Sequence, residues 1–230
     1  MKIYGLNKTT LLDYPGRVAA SVFLGGCNFR CPFCQNGDLV LRPESQPVIG
    51  MPEVLGFLEK RKGILAGVCI TGGEPAVSEG LADFIKAIKD MGFAVKLDTN
   101  GYEPEILGRL VEDGLLDYIA MDIKNSMERY GETAGITHLD AGRIRESIRI
   151  ILGSGAEYEF RTTIVKEFHG EAELDAIGKE IRGAEKYFLQ NYQESAGVIA
   201  PGFHAYGREG LERLAECVRP YVESVQLRNC

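Results

Sequence analysis

The sequence predicts an α/β fold, a partial (β/α)6 barrel of the TIM type built on parallel strands. Three observations predict it. Short apolar runs alternate strictly with longer amphipathic segments, and six such units follow one another along the chain. The longer segments carry apolar residues at three- and four-residue spacing, as in Leu81, Phe84, Ile85 and Ile88, the pattern of a helix with one buried face. Each short run ends in polar or glycine-rich residues, and no low-complexity tract or linker interrupts the series. Strict alternation implies parallel strands joined by right-handed crossovers, which close naturally into a barrel or part of one. An open doubly wound sheet is the competing architecture, because alternation alone does not separate the two. The chain reads as one domain over residues 1–230.

In chain order, the first strand falls at 18–24 and runs into a cysteine-bearing loop at 25–36, followed by a helix at 52–61. A second strand, 68–71, ends in Gly72-Gly73-Glu74-Pro75 ahead of a helix at 79–91. The third, 94–98, ends in Asp98-Thr99-Asn100-Gly101 and leads to a helix at 103–113. The fourth, 118–123, ends in Asp122-Ile123-Lys124, with its helix at 141–152. Arg161 leaves the fifth strand, 159–165, whose helix spans 171–181. The sixth, 187–190, runs into Gln190-Asn191-Tyr192, and a helix at 208–218 follows. The unusual residues thus gather at strand C-terminal ends, the edge where loops of parallel α/β folds build a site.

Composition narrows the classes. At 230 residues and 45% hydrophobic, the chain can bury one large core. A net charge of -7 removes the attraction behind nonspecific nucleic-acid binding. No apolar run approaches the roughly 18 residues of a membrane span, and the opening MKIYGLNKTTLLDYPG lacks a signal core. The expectation is a cytoplasmic monomer with no nucleic-acid or membrane partner, in a reducing compartment that suits thiolates.

Cys27, Cys31 and Cys34 stand as C-x3-C-x2-C in GGCNFRCPFCQN. Three thiolates this close can hold three corners of a 4Fe-4S cluster and leave the fourth iron without a protein ligand. Reactive metal sites keep such a position free, a contrast taken by analogy from zinc. A disulfide framework suits a short secreted chain better, and a zinc knuckle needs a fourth ligand nearby, whereas the next cysteine is Cys69 and the nearest histidine His138. Cys69 and Cys217 read as structural, and Cys230 is left unassigned. Gly72 and Gly73 let backbone approach a ligand closely, although a glycine pair is also a common turn. Asp98, Asp122 and Lys124 end apolar strands, where charges need each other, a ligand or a metal.

The combination CNFRCPFC, GGEP, DTNG and DIK resembles the radical S-adenosylmethionine (SAM) superfamily. More closely, KTTLLDYPG, VKLDTNG, AMDIK and EYEFRTT are similar to activating enzymes of glycyl-radical proteins, namely pyruvate formate-lyase activase and especially the long form of the anaerobic ribonucleoside-triphosphate reductase activating protein. The resemblance implies one 4Fe-4S cluster held by Cys27, Cys31 and Cys34, with SAM chelated to the open iron. It implies reductive cleavage of SAM and removal of a glycine α-hydrogen from a partner glycyl-radical enzyme, with a low-potential ferredoxin or flavodoxin as electron donor. Phe33 matches the aromatic beside the adenine, and Gly72, Gly73 and Glu74 the loop that receives the methionyl amino group. Asp98 and Asp122 match positions that in pyruvate formate-lyase activase help bind a monovalent cation. Asp122 and Lys124 become the catalytic candidates, with Asn100, Ile123 and Arg161 among the cofactor-binding ones.

Two departures stand out. The Pro-Tyr-His run of pyruvate formate-lyase activase, which helps bind SAM, is replaced by Gln190-Asn191-Tyr192. Either Asn191 or Tyr192 substitutes for its histidine, or SAM binds without that partner. No cysteine lies between Cys34 and Cys69, so no second-cluster insert is expected. His138, His169 and His204 match nothing and read as solvated or capping residues. Radical chemistry on a small molecule or peptide, and a cluster protein that no longer cleaves SAM, are the alternatives.

Overall fold

The computed structural model describes residues 1–229; Cys230 lies outside the described residues. Eight strands form one sheet whose spatial order follows the chain: β1 (Ile3–Thr10), β2 (Ala19–Leu24), β3 (Gly67–Gly72), β4 (Ala94–Thr99), β5 (Tyr118–Asp122), β6 (Glu157–Ile164), β7 (Lys186–Asn191) and β8 (Ser224–Arg228). β1 runs antiparallel to β2, and every later pair is parallel. Among the described residues the edge strands β1 and β8 do not pair, so the barrel is partial. The helices are α1 (Gly37–Leu41), α2 (Met51–Glu59), α3 (Leu81–Asp90), α4 (Pro104–Glu112), α5 (Tyr130–Ala134), α6 (Ala141–Leu152), α7 (Glu171–Glu180) and α8 (Arg208–Val218).

All six predicted strand and helix units are present, with ends displaced by at most two residues. β1 and β8 are additional to them. Both lie at a sheet edge and are partly exposed, so neither IYGLNKTT nor SVQLR carries the apolar run that marks a strand buried on both faces. The five-residue α1 and α5 are too short to show a helical period.

Strand pleating divides the sheet into two unlike faces. Val22, Leu24, Val68, Ile70, Val95, Leu97, Ile119, Met121 and Phe160 are fully buried in the large core that also holds the helices. α6 shows how the helices join it. Asp140 caps its start by accepting from the Gly142 N–H at 2.9 Å, and Ile144, Ile148 and Ile151 face the core from one stripe. On alternate strand positions stand Ser21, Cys69, Lys96, Asp98, Glu159 and Arg161, so the concave face is polar and charged.

At the strands' N-terminal ends this concave face is closed by the β1–β2 connection. Tyr14 is 1% exposed and meets Tyr118 edge-on at 5.8 Å, packing with Ala19 and Ala120 as a second small core. Asp13 accepts from Ser21 Oγ beside it. The LLDYPG stretch therefore builds the barrel floor, while Leu11 and Leu12 remain exposed. Among the described residues, no helix is long and apolar enough to cross a membrane.

Candidate active site

The opposite, C-terminal edge of the strands holds a cavity of about 270 Å³. Cys27, Cys31 and Cys34 line it from the loop after β2; Gly72, Gly73 and Glu74 line it from the end of β3. Asp98 and Asn100 enter from β4 and its loop, Asp122 and Lys124 from β5, and Arg161 from β6. Phe33 reaches the same wall, but its ring is 4% exposed and packs on Phe168 and Phe203. Twelve sequence-predicted residues thus share one pocket.

Ile123 and Asn191 do not. Ile123 is fully buried in the core, its N–H donates to the Arg161 carbonyl and its own carbonyl accepts from Thr162 Oγ1. The Asn191 amide is spent on Tyr206, donating to its carbonyl at 2.8 Å and accepting from its N–H at 3.1 Å. Strand alternation explains the second correction: Gln190 has the inward parity and lines the cavity, and Asn191 faces outward. Tyr192 is buried against Phe203, and its hydroxyl donates to Glu194.

The cysteine loop is fixed from several sides. Gly26 N–H donates to the Leu39 carbonyl and Asn36 Nδ2 to the Gly72 carbonyl at 2.7 Å, tying the loop to α1 and to the end of β3. Gly73 and Glu74 N–H groups donate back to Leu24 and Gly26. On the outer side, residues 197–200 run beside the loop, where Ile199 N–H donates to the Cys34 carbonyl and Ala200 N–H to the Pro32 carbonyl. Asn100 Nδ2 donates to Asn28 Oδ1 at 2.7 Å and lies 3.8 Å from Cys27 Sγ.

These close approaches require glycine. Gly72 has φ of +116°, and a Cβ at Gly73 would overlap the Gly26 carbonyl oxygen. Gly73→Ala is expected to lose about 2–4 kcal/mol of stability, or roughly 5–15 °C in thermal midpoint by circular dichroism. Gly56→Ala, inside α2 with open space around its Cβ, should instead gain about 0.5–1 kcal/mol.

Burial pushes the Cys27 thiol up to about 12 and the Cys31 thiol to about 11, so both need a cationic partner or metal to ionise. Glu74 is buried, which raises its carboxyl to about 7 against the donors it accepts from: Asn100 N–H at 2.6 Å, Ala76 N–H at 3.0 Å and Thr99 Oγ1 at 2.8 Å. Its side chain locks the β3 loop to the β4 loop. Burial would raise Asp122, yet Arg161 and then Lys124 hold it well below the usual carboxylate range. Asp122 outweighs burial at Lys124 and raises it, keeping that amine protonated.

Three contributors are not among the sequence-predicted site residues, although Lys96 lies in VKLDTNG and Glu159 in EYEFRTT. Lys96, 2% exposed, pairs with Asp98 from two residues earlier on β4. Glu159, 1% exposed, lies below Arg161 on β6. Both show in the period-two alternation of Lys96/Asp98 and Glu159/Arg161, which places charges on one strand face. His169, read as solvated or capping, is instead 1% exposed; its Nδ1 accepts from Val165 N–H, which leaves Nε2–H to donate to the Lys124 carbonyl at 2.8 Å. No sequence signal marks it, because it acts on backbone atoms, one of them distant in sequence.

The donor set suits a polynuclear iron–sulfur group. Three thiols, those of Cys27, Cys31 and Cys34, line one wall of the cavity.

Comparison with known proteins agrees. Residues 21–168 match the model of the Radical SAM superfamily. The chain is 27% identical over 241 aligned residues, 98% of its length and 95% of the other's, to a Methanocaldococcus jannaschii protein provisionally named a glycyl-radical enzyme activating enzyme. It is 26% identical to the 7-carboxy-7-deazaguanine synthase of Thermoplasma acidophilum over 67% of this chain and 70% of that one. It is 30% identical to a GTP 3',8-cyclase of Clostridium perfringens over 66% of this chain and 47% of that one. Among solved structures, SuiB of Streptococcus suis bound to SAM superposes with a TM-score of 0.68 at 16% identity, over 91% of this chain and 52% of SuiB. The chain spans about half the length of SuiB, and that likeness shows the fold. The chain belongs to the radical SAM superfamily, whose members use a 4Fe-4S cluster and SAM.

Proposed function

We propose that this radical SAM protein is an activating enzyme that cleaves SAM reductively and removes an α-hydrogen atom from a glycine of a partner glycyl-radical enzyme. The observation that carries the reading is the convergence on one cavity of three cluster-type thiols, a Gly-Gly-Glu loop and the Asp98, Asp122, Lys124 and Arg161 charges. The end-to-end similarity to a protein named as such an activase supports the choice of target. A partner's glycine loop would need an open barrel side, and the edge strands β1 and β8 do not pair among the described residues.

Cys27, Cys31 and Cys34 would ligate three irons, leaving one for SAM. When bound, the cluster would supply the electron for reductive cleavage of SAM, the chemistry that would in turn remove the glycine hydrogen. The chain's own groups position and balance charge. Gly72 and Gly73 keep side chains away from the amino-acid end of SAM, and Glu74 holds their loop against Asn100. Lys124 and Arg161 offer cationic donors to a carboxylate. Lys124 is steadied by Asp122 at 3.1 Å and by His169 through its backbone. Phe33 lines the cavity wall with Phe168 and Phe203 packed behind it, and the little of it that is exposed would lie beside the adenine. The free thiols suit the reducing cytoplasm, with a low-potential ferredoxin or flavodoxin as electron donor.

A second reading, radical chemistry on a small molecule or peptide, draws support from the deazaguanine synthase and GTP cyclase relatives. Anaerobically reconstituted protein, dithionite, SAM and candidate glycyl-radical proteins of the same organism should yield 5'-deoxyadenosine together with a glycyl doublet in electron paramagnetic resonance. 5'-Deoxyadenosine without a doublet on any candidate favours the second reading. No 5'-deoxyadenosine at all refutes both.

A further inference from the structure

Asp98 and Asp122 are the carboxylates that the resemblance pairs with a monovalent cation, and all four of their oxygens face cationic side chains of this chain. Asp98 Oδ1 receives Lys96 Nζ, and Oδ2 lies 3.3 Å from Arg161 Nη2. Asp122 Oδ1 receives Arg161 Nε at 2.5 Å, and Oδ2 receives Lys124 Nζ at 3.1 Å. The Arg161 guanidinium thus spans the two carboxylates from β6, where its register partner on β5 is Asp122 itself.

Arg161 is held from below. Glu159 Oε1 lies 4.0 Å from its Nη1, and Glu159 is gripped by Arg228 Nη1 and Nη2 at 2.9 Å each and by the Tyr118 hydroxyl at 2.8 Å. Arg228 in turn lies over the Phe188 ring, 3.5 Å from its centroid. The network therefore holds three carboxylates, Asp98, Asp122 and Glu159, against four cations, Lys96, Lys124, Arg161 and Arg228. One positive charge is left over to meet a ligand carboxylate. An alkali ion would have to displace a lysine or arginine from its carboxylate and would crowd the remaining cations, both costly in a buried site. The residues present do not fit the cation.

We infer that Arg161 is a built-in counter-ion that replaces the monovalent cation, with Glu159 and Arg228 as its positioning residues, so that the site binds a ligand carboxylate independently of sodium or potassium. Five N–H donors on one guanidinium suffice to bridge both aspartates and keep a donor for the ligand. The inference rests on the SAM reading for the ligand's identity and on the charge network for the rest.

Two measurements separate the two. Cluster-reconstituted protein is titrated with SAM by calorimetry in choline, sodium and potassium chlorides, and the same protein is dialysed against radioactive sodium or rubidium with and without SAM. The wild type should bind SAM with the same affinity in all three salts, within about twofold, and should retain no stoichiometric alkali ion. Arg161→Met should weaken SAM binding at least about tenfold in choline and recover part of it in sodium or potassium, because the vacated space now admits the ion. Arg161→Lys should remain salt-independent. A wild type that needs sodium or potassium, or that retains one alkali ion per chain, overturns the inference whether or not Arg161→Met folds. Failure to bind SAM in every salt overturns the proposed function instead, and the dialysis still decides the counter-ion.

Discussion

Replacing Cys27, Cys31 or Cys34 by Ala is expected to abolish the cluster, lowering iron after anaerobic reconstitution from about four per chain to below about one, and to reduce 5'-deoxyadenosine formation to background. Each thiol supplies one corner, and two corners in a cavity open to solvent do not retain a cubane against chelators. Cys69→Ala is the control. Cys69 is fully buried, deeper than the partly buried Cys27 and Cys34, and lies on the concave face of β3, 3.8 Å from Lys96 Nζ and below the cavity. Its loss should leave the iron content unchanged and cost only about 1 kcal/mol for the small void. Iron assay, visible absorption and product chromatography on the four variants check this together. Full iron retention in Cys27→Ala, or iron loss in Cys69→Ala, contradicts the ligand assignment.

The repeating part of the fold is legible in the sequence because it is repetitive. Strands such as Val68–Ile70 are buried on both faces and appear as apolar runs, while α3 and α6 show their single buried stripe. What the sequence hides is the sheet's ends. β1 places Leu6, Asn7, Lys8 and Thr9 at partly or fully exposed positions, and β8 has no fully buried residue, so both depend on a neighbouring strand more than on their own composition. The floor formed by Tyr14 against Tyr118 is hidden for a related reason, since a pairing across some hundred residues leaves no local period.

The site is legible where chemistry demands rare residue types in a loop: the three cysteines, the glycine pair and the strand-end charges. It is less legible where a residue acts through backbone or through another side chain. Proximity to a motif suggests Asn191, but strand parity turns it toward Tyr206 and gives the cavity to Gln190. Ile123 lies between two cavity-lining residues and points into the core for the same reason. His169 supports Lys124 only through a carbonyl oxygen, which any residue supplies.

Lys96→Met is expected to be the most destabilising single change inside the barrel, at about 3–5 kcal/mol near neutral pH. Methionine keeps much of the stem that passes Cys69 and Tyr118, so the loss is mainly of charge. Asp98 is then left with Arg161 alone at 3.3 Å. The pH dependence separates charge from packing. Burial raises the Asp98 carboxyl, and in the wild type Arg161 and Lys96 outweigh it and hold the group below its ordinary value of 3.8. Asp98 therefore adds stability that is fully present above that value and is lost as pH falls through the lower folded value. Without Lys96 the folded value climbs while the unfolded one stays, so ionised Asp98 becomes less favourable in the native state. The deficit of Lys96→Met relative to wild type should be largest near pH 7 and shrink as the pH is lowered toward about 4, measured by urea unfolding of the cluster-free protein. A deficit that stays constant over that range means that Lys96 serves packing and that the charge balance around Arg161 does not depend on it.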